Sequence, residues 1–544
     1  LVLVTLWALV WSKALGLTRF VNPFEVEWLF QGDWQAQLFG WLFTQNGPWA
    51  LPLGQAPDLL APTGTSAAYT DAIPVMAVLG KIVGLFVSRP FQYFGVWMVA
   101  GFVGAGLSGV LFARAFVKDA LTLTLVGCLC VVNPIMSTRY GHPTFLGFWV
   151  LMALVGTCLW PVTTLRSGRR VAALAIGLLA FTCGTHAYLA VMAAGLAFAS
   201  VVRLAVVERT FSKGEGAAWI LAAPVTTLVF LWVFGFASGL GGSGQNLTSE
   251  GFGEFSADLL TFFNATTWSR LFKGLAMGGR QYEGYAYLGL GVFTVWAAGV
   301  ASLPKRGLTW AGLRSATPLL VVSLGFAVFA LSNHVTVGGQ RVADWSPLYA
   351  KLGPLPAIFR SSGRFIWPLH VTLLFGGLLL VVRLQTRWLR NAVLGLAVLL
   401  QVADFDPTRT PLHTHAVRFE PFRDSIWSGL SDYRHLVVAP VQVQWLCPYN
   451  PELIPRLSWE AWRYHLSINS GHVGRPPTSI DCRRHVSPAE LDDQTVYVAY
   501  FPEYLADFTT QGFVCAPLEG TTVCVSPRRP TAFLAELQRR SGAR

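Results

Sequence analysis

Five carboxylates crowd one stretch of the chain. Glu25, Glu27, Asp33, Asp58 and Asp71 fall within NPFEVEWLFQGDWQAQLFGWLFTQNGPWALPLGQAPDLLAPTGTSAAYTDAIP, among many Trp, Phe and Gly residues. An acid held among aromatic rings loses solvation of its charged form. Unless a cation pairs with it, its pKa rises and it becomes fit to take a proton from a hydroxyl. Asp33, following Gly32 and leading WQAQLFGWLF, is the foremost candidate base, with Glu27 and Asp71 behind it. A structural role competes. A short carboxylate at the head of a helix accepts from an otherwise unpaired backbone N–H, and Asp33 and Asp71 both stand where such caps occur.

Cations gather elsewhere. Arg139, Tyr140 and His142 follow Pro134, His186 opens an apolar run, Arg280 and Glu283 lie in GGRQYEGYAYLGLG, and Arg360 and Arg364 lie in FRSSGRFIWP. Several guanidinium forks converging at one membrane face would hold a phosphate. A single arginine beside an apolar run has the simpler role of snorkelling to lipid headgroups. FRSSGRF is the more informative pattern, because two arginines four apart around Ser-Ser-Gly leave backbone and side-chain donors accessible to a ligand. His142 and His186 read more simply as interhelical hydrogen bonds than as metal ligands. No zinc spacing, phosphate-binding glycine loop or nucleic-acid motif is present.

The elements that must position these residues follow from composition. Of 544 residues, 53% are hydrophobic and only 12% are charged. A soluble domain of this size cannot hide that much apolar surface, so the bilayer is the solvent that accepts it. The formal charge of +12 sits largely in short loops between apolar runs, which fits topogenic charge and not a nucleic-acid partner. Spans are expected at roughly 1–17, 92–114, 119–136, 143–164, 170–184, 186–207, 217–237, 285–303, 316–332, 366–384 and 388–405, eleven in all. The chain opens on Leu1 with no basic segment, which points to a native start further upstream; without a small-residue cleavage site a cleaved signal peptide is not the expectation.

Orientation follows from the basic loops. Arg166, Arg169 and Arg170 form one; Arg203, Arg209 and Lys213 another; Lys305, Arg306 and Arg314 a third; Arg383, Arg387 and Arg390 a fourth. All fall on one side, which is then cytoplasmic. Residues 18–91, 137–142, 238–284, 333–365 and the tail lie opposite. Residues 69–87 are apolar enough to span, but crossing there would break this order, and Pro74 and Lys81 interrupt the run. An interfacial or re-entrant helix is expected, with a twelfth span as the alternative.

After about residue 405 the apolar runs cease. Strand-like LVVAPVQV (436–443) and TVYVAYF (495–501) predict a small α+β domain. Cys128, Cys130, Cys158 and Cys183 lie in apolar spans, whereas Cys447, Cys482, Cys515 and Cys524 lie in the tail. Four cysteines in an outward domain predict two disulfides, with the pairing open among three connectivities.

A long acidic outer loop after the first span, an outer interfacial helix, an odd number of further spans and an outward domain together resemble the GT-C glycosyltransferase superfamily. GDWQAQLFGW, YTDAIP, RYGHPTFLGFW, RQYEGYAYLGLG and FRSSGRFIWP are similar to a poorly characterised bacterial branch of it, known mostly as a domain of unknown function. The likeness covers most of residues 20–370 and is weaker over the tail. It implies transfer of a sugar from a polyprenyl-phosphate carrier, with inversion, to an acceptor hydroxyl of a glycan, lipid or protein on the extracytoplasmic side of a bacterial plasma membrane. It places the catalytic acid at Asp33 and donor or phosphate contacts at Arg139, His142, Arg280, Arg360 and Arg364. Glu27, Asp71, Glu283 and His186 are further candidates. Many relatives carry paired acids in the first loop. Here GDW holds one acid, with Glu25 and Glu27 nearby, so no cofactor is called for and a divalent metal is left open.

The expected fold is therefore an α-helical polytopic membrane protein, GT-C-like with about eleven transmembrane helices, bearing a C-terminal extracytoplasmic α+β domain. Residues 1–405 would form the membrane domain, with its long first outer loop at 18–91, and residues 406–544 the soluble one. Besides the lipid-linked donor and the acceptor, the expected partners are membrane lipids, and not nucleic acid. Two other readings compete. A transporter or flippase for lipid-linked saccharides should carry ionisable groups at mid-membrane and internal repeats. A non-catalytic envelope assembly protein would use the tail for docking.

Overall fold

Long apolar runs become helices because a chain in hydrocarbon must satisfy every backbone N–H and C=O within itself. The computed structural model describes residues 1–236, 248, 250–303, 310–414, 419–477 and 479–542. Among these, six helices are long and apolar enough to cross a membrane: Phe94–Arg114, Ala120–Thr138, Ala187–Val207, Lys213–Val233, Gly312–Ala330 and Ser362–Val382. The chain is a multi-pass membrane protein. Five other expected spans are helical but shorter or more charged: Val2–Ala14, Pro143–Leu159, Leu165–Cys183, Leu290–Ala301 and Arg387–Asp404. Length and composition thus support six crossings among the described residues, fewer than the eleven expected. Lys305 and Arg306 of the third basic loop, and residues 238–247 of an outer loop, lie outside the described residues.

Two arginines counted as loop charges have other employment. Arg203 is buried, donating to the carbonyls of Trp160 at 2.8 Å and Thr157 at 3.2 Å and pairing with Glu208 at 3.3 Å. Arg390 is buried too, donating to Thr122 Oγ1 at 3.0 Å and the Leu384 carbonyl at 2.9 Å.

The chain divides into two compact units. One comprises residues 1–23, 93–231 and 248–415; the other comprises 24–92, 232–247 and 416–544. In the first, small residues let helices approach closely. A methyl added at Gly106 would lie 2.5 Å from Val4 Cγ1, and one at Gly109 2.6 Å from Cys130 Sγ.

The second unit contains a five-stranded mixed sheet. Its strands are β1 (His435–Ala439), β2 (Ser467–Ile468), β3 (Thr495–Ala499), β4 (Val514–Leu518) and β5 (Thr521–Val525), in the order β2-β1-β3-β5-β4. β1 runs parallel to β2 and β3, and β5 runs antiparallel to β3 and β4. Tyr497 and Ala499 of β3 pack with Tyr504, Phe508 and Phe513 on one face of the sheet. Disulfides join Cys447 to Cys482 and Cys515 to Cys524, the second linking β4 to its neighbour β5.

The acidic first loop belongs to this unit by hydrogen bonding as well as by compactness. Ile468 N donates to the Asp58 carbonyl at 2.7 Å, Ala61 N to the Ile468 carbonyl at 2.9 Å, and Gly474 N to the Tyr69 carbonyl at 2.7 Å. The ring of Phe30 stacks on Phe419 at 3.5 Å and meets Trp459 edge-on at 5.4 Å. Within 69–87 the helix runs only from Pro74 to Val83, about 15 Å at 1.5 Å per residue, roughly half the hydrocarbon thickness. Leu79, Ile82, Val83, Leu85 and Phe86 are exposed in and after it, and Lys81 turns back to donate to the Gly47 and Pro48 carbonyls.

Candidate active site

Two polar constellations form, one in each unit. In the second unit Asp33 occupies the N-cap position of the helix Trp34–Asn46 but makes no side-chain capping hydrogen bond. The structural role weighed for it is therefore not the one it plays. Its side chain is 45% exposed, not sunk among aromatics, and Oδ1 lies 3.7 Å from Nε2 of the buried His472. That nitrogen also accepts the Trp445 indole N–H at 3.3 Å. Tyr449 donates through its hydroxyl to Gln35 Oε1 at 2.8 Å and sets its ring edge-on to His472 at 6.3 Å. The other acids are scattered. Glu25 and Glu27 are exposed, and Asp71 is half-exposed in a left-handed conformation with φ 55°. The helix after Asp71 has Ile73 at its N-cap, so Asp71 does not cap it. Asp58 lines a cleft of about 570 Å³, with His435, Asn469, Arg484 and Tyr497, to which Asp33 does not contribute.

In the first unit Glu283 sits between two arginines. Arg364 meets it as a fork, Nε to Oε2 at 2.9 Å and Nη2 to Oε1 at 2.6 Å, and Arg139 Nη1 reaches Oε2 at 2.6 Å. Arg139 Nη2 donates to the Glu283 carbonyl at 2.9 Å and the Tyr282 carbonyl at 3.2 Å. All three side chains are buried. Burial alone would push the Glu283 carboxyl up. The charges of Arg364 and then Arg139 overcome it and hold the group well below the usual carboxylate range. Glu283 is thus a fixed anion, and the cluster carries two cations to one anion. Aromatic faces complete it: the Arg364 guanidinium lies over Phe145 at 4.3 Å and Tyr188 at 4.9 Å, and that of Arg139 over Trp367 at 5.2 Å. Arg139 Nε, Ser362 Oγ and Trp367 Nε1 are buried without a hydrogen-bond partner among the described residues.

The remaining predicted residues flank this cluster. His142 packs edge-on to Phe145 at 5.8 Å. His186 Nδ1 accepts from Tyr188 N at 3.1 Å, capping the helix Ala187–Val202. Arg280 and Arg360 lie over the Phe255 ring, each at 5.4 Å. Arg280 also pairs with the exposed Glu254 at 2.8 Å. Among the described residues no three His, Cys, Asp or Glu side chains group as metal ligands.

Residues 4–406 match the family described as a domain of unknown function, DUF6311. The chain belongs to the DUF6311 family. Residues 426–526 match the DUF6311 C-terminal domain, a range containing all five strands of the mixed sheet. None of the curated proteins matches the chain. Among solved structures it is similar to the archaeal oligosaccharyltransferase AglB from Archaeoglobus fulgidus, solved in complex with an inhibitory peptide and a dolichol-phosphate, with 13% identity and a TM-score of 0.37. That similarity covers 86% of this chain, and the chain spans 64% of the length of AglB.

In this DUF6311 chain, sequence reasoning missed His472 and Trp445 altogether. Both stand more than 400 positions from Asp33, and no local motif joins them to it. Glu283 was a candidate, but its role as the shared counter-ion of Arg139 and Arg364 was not legible. The one available signal was the presence of an acid in RQYEGYAYLGLG among outer segments rich in arginine.

Proposed function

We propose that this chain is a GT-C-type glycosyltransferase that uses a polyprenyl-phosphate sugar as donor. It acts at the extracytoplasmic face of a bacterial plasma membrane and transfers the sugar with inversion to an acceptor hydroxyl of an envelope glycan, lipid or protein. The observation that carries this reading is Asp33: a half-exposed carboxylate 3.7 Å from a histidine nitrogen. Asp33 takes the acceptor hydroxyl's proton as that oxygen bonds to the anomeric carbon. The anomeric carbon–oxygen bond to phosphate breaks, and the carrier leaves as polyprenyl phosphate. No protein nucleophile is needed, because stabilised phosphate is itself a competent leaving group.

The arginines divide the work on the donor. Arg360 and Arg280, set over Phe255, contact the phosphate. Arg364 and Arg139, committed to Glu283, act as positioning residues that fix FRSSGRF and keep a net positive potential beneath it. The short helix Pro74–Val83 and the apolar residues after it lie in the membrane interface, and residues 406–544 lie outside the membrane.

The test is transfer by the purified full chain in lipid nanodiscs, using radiolabelled polyprenyl-phosphate hexoses and pentoses and an envelope extract as acceptor. The expected result is a labelled, acid-labile product that Asp33→Asn abolishes while donor lipid still binds. Equal product from Asp33→Asn, in a preparation as folded as the parent, overturns the reading.

A further inference from the structure

We propose that Trp445 is the stacking platform of an acceptor site, and that the acceptor's reacting unit is therefore a sugar ring. This inference rests on the assignment of Asp33 as the base that activates the acceptor. It narrows that acceptor from glycan, lipid or protein to a saccharide.

Trp445 is 76% exposed, yet its indole N–H is held by a hydrogen bond to His472. Its backbone sits at φ 70°, in the left-handed region that a bulky side chain occupies only at a cost. The flanking chain holds it there. Gln444 N donates to the Gly471 carbonyl at 3.2 Å, and Leu446 N and Cys447 N both donate to the Val443 carbonyl, at 3.1 and 2.8 Å. Gln442 N donates to Ser470 Oγ at 3.0 Å, and Cys447 is bonded to Cys482. The strain yields no intramolecular burial for the indole. What it does yield is an aromatic face presented to solvent beside His472, the residue that neighbours Asp33.

The way the indole is held selects the ligand. Its N–H is already given to His472 Nε2, so the ring offers its π-face and little else. A tryptophan at a lipid interface commonly keeps its N–H for the wet headgroup layer. A pyranose has the complementary form, with one face of axial C–H bonds that lies flat on an aromatic ring and hydroxyls round the edge. A ring lying on Trp445 presents an edge hydroxyl toward the His472–Asp33 pair. Tyr449 and Gln35, hydrogen-bonded to each other beside His472, are polar groups at the same place. The loop is strapped before any ligand arrives, so little ordering remains to be done on binding.

Saturation-transfer NMR on the full chain in nanodiscs tests this with free gluco-, manno- and galacto-oligosaccharides as probes, run on the parent, Trp445→Phe, Trp445→Leu and Asp33→Asn. At least one series is expected to bind the parent, with saturation strongest on the ring protons of one face. Trp445→Phe should stay within about threefold of the parent affinity, Trp445→Leu should lose about tenfold or more, and Asp33→Asn should bind normally. The leucine variant keeps apolar area and removes the π-face. If sugar binding survives it unchanged, or if no series binds a parent that is active in transfer, the platform assignment fails while the transferase reading stands. If binding depends on Trp445 but no donor supports transfer, the saccharide site stands and the transferase reading fails. Weaker flotation of Trp445→Ala with phosphatidylglycerol vesicles, without any loss of sugar binding, would assign the indole to lipid and overturn the proposal.

Discussion

His472 Nε2 faces two partners at once: it accepts the Trp445 indole N–H at 3.3 Å while Asp33 Oδ1 waits at 3.7 Å. The first is a hydrogen bond and the second is an approach just beyond one. Trading the first for the second needs a proton between Nε2 and Oδ1. A base that has taken a proton from an acceptor has a second proton acceptor within reach, and a residue that orients one orients both.

Substitution at the two positions should therefore separate. Asp33→Asn keeps the shape and removes the base, so turnover should fall by roughly 10²–10⁴-fold. His472→Gln keeps a polar side chain and removes the titrating ring, and turnover should fall on the order of tenfold. Both proteins should keep the parent circular dichroism. Steady-state transfer assays at saturating donor measure the two rates. A His472→Gln loss as deep as that of Asp33→Asn would make histidine, not aspartate, the principal base.

The buried anion of the other unit behaves oppositely. Glu283→Gln leaves Arg139 and Arg364 charged and buried with no counter-ion. Removing one partner of such a pair costs about 3–5 kcal/mol. Loss of folded protein is the expected outcome, read as a lower thermal midpoint or a collapse of monodisperse yield in detergent. Arg364→Lys keeps one charge but gives up the fork at 2.9 and 2.6 Å, so its midpoint should fall by less. A Glu283→Gln protein as stable as the parent but inactive would move Glu283 from counter-ion to catalysis.

These two cases show where sequence was sufficient and where it ended. Apolar period and length placed the helix at 94–114 within two residues of its expected start, because hydrocarbon leaves the chain no other choice. β-branched runs located strands at 435–439 and 495–499, because such side chains pack well on a pleated surface. What was not legible is pairing across the chain. Nothing local in QAPDLLAP says that Asp58 and Ala61 hydrogen-bond to Ile468, or that His472 comes to Asp33. In sequence Arg364 reads as a phosphate ligand, because a guanidinium in an outer loop invites one. Only the third dimension supplies the carboxylate that already occupies its fork.

A titration should report on Glu460. This residue lies buried in the helix Leu453–Arg463, and its Oε2 has no hydrogen-bond partner among the described residues. Burial pushes its carboxyl up to about 7, with Glu519 adding to the shift and Arg463 and Arg456 opposing it. A carboxyl whose folded pKa exceeds its unfolded value binds more protons when folded. The stability it contributes is present in full below pH 4.5, its ordinary pKa, and is lost as pH rises through about 7. Thermal midpoints of the full chain between pH 5 and 8 should fall with rising pH, and Glu460→Gln should flatten that slope and sit above the parent at pH 8. Parallel curves for the two proteins would remove Glu460 as the source.

Close helix packing in the first unit gives the last prediction. Alanine for glycine inside a helix ordinarily gains up to about 1 kcal/mol, because glycine has more backbone freedom to lose. Gly95, in the first turn of the helix Phe94–Arg114, reverses that rule. A methyl there would lie 1.7 Å from the Phe20 carbonyl oxygen and 2.3 Å from its carbon, and both atoms are backbone and cannot rotate away. Gly177, inside the helix Leu165–Cys183, has nothing among the described residues within 4 Å of the same added methyl. Gly95→Ala should force the segment at Phe20 off the helix, with a loss of at least the 1–3 kcal/mol typical of overpacking. Gly177→Ala should be neutral or stabilising. Thermal midpoints of the two variants in one detergent decide it: Gly95→Ala should fall below the parent and Gly177→Ala should not. A Gly95→Ala protein as stable as Gly177→Ala would mean that the Phe20 backbone does not lie where the packing of this helix requires it.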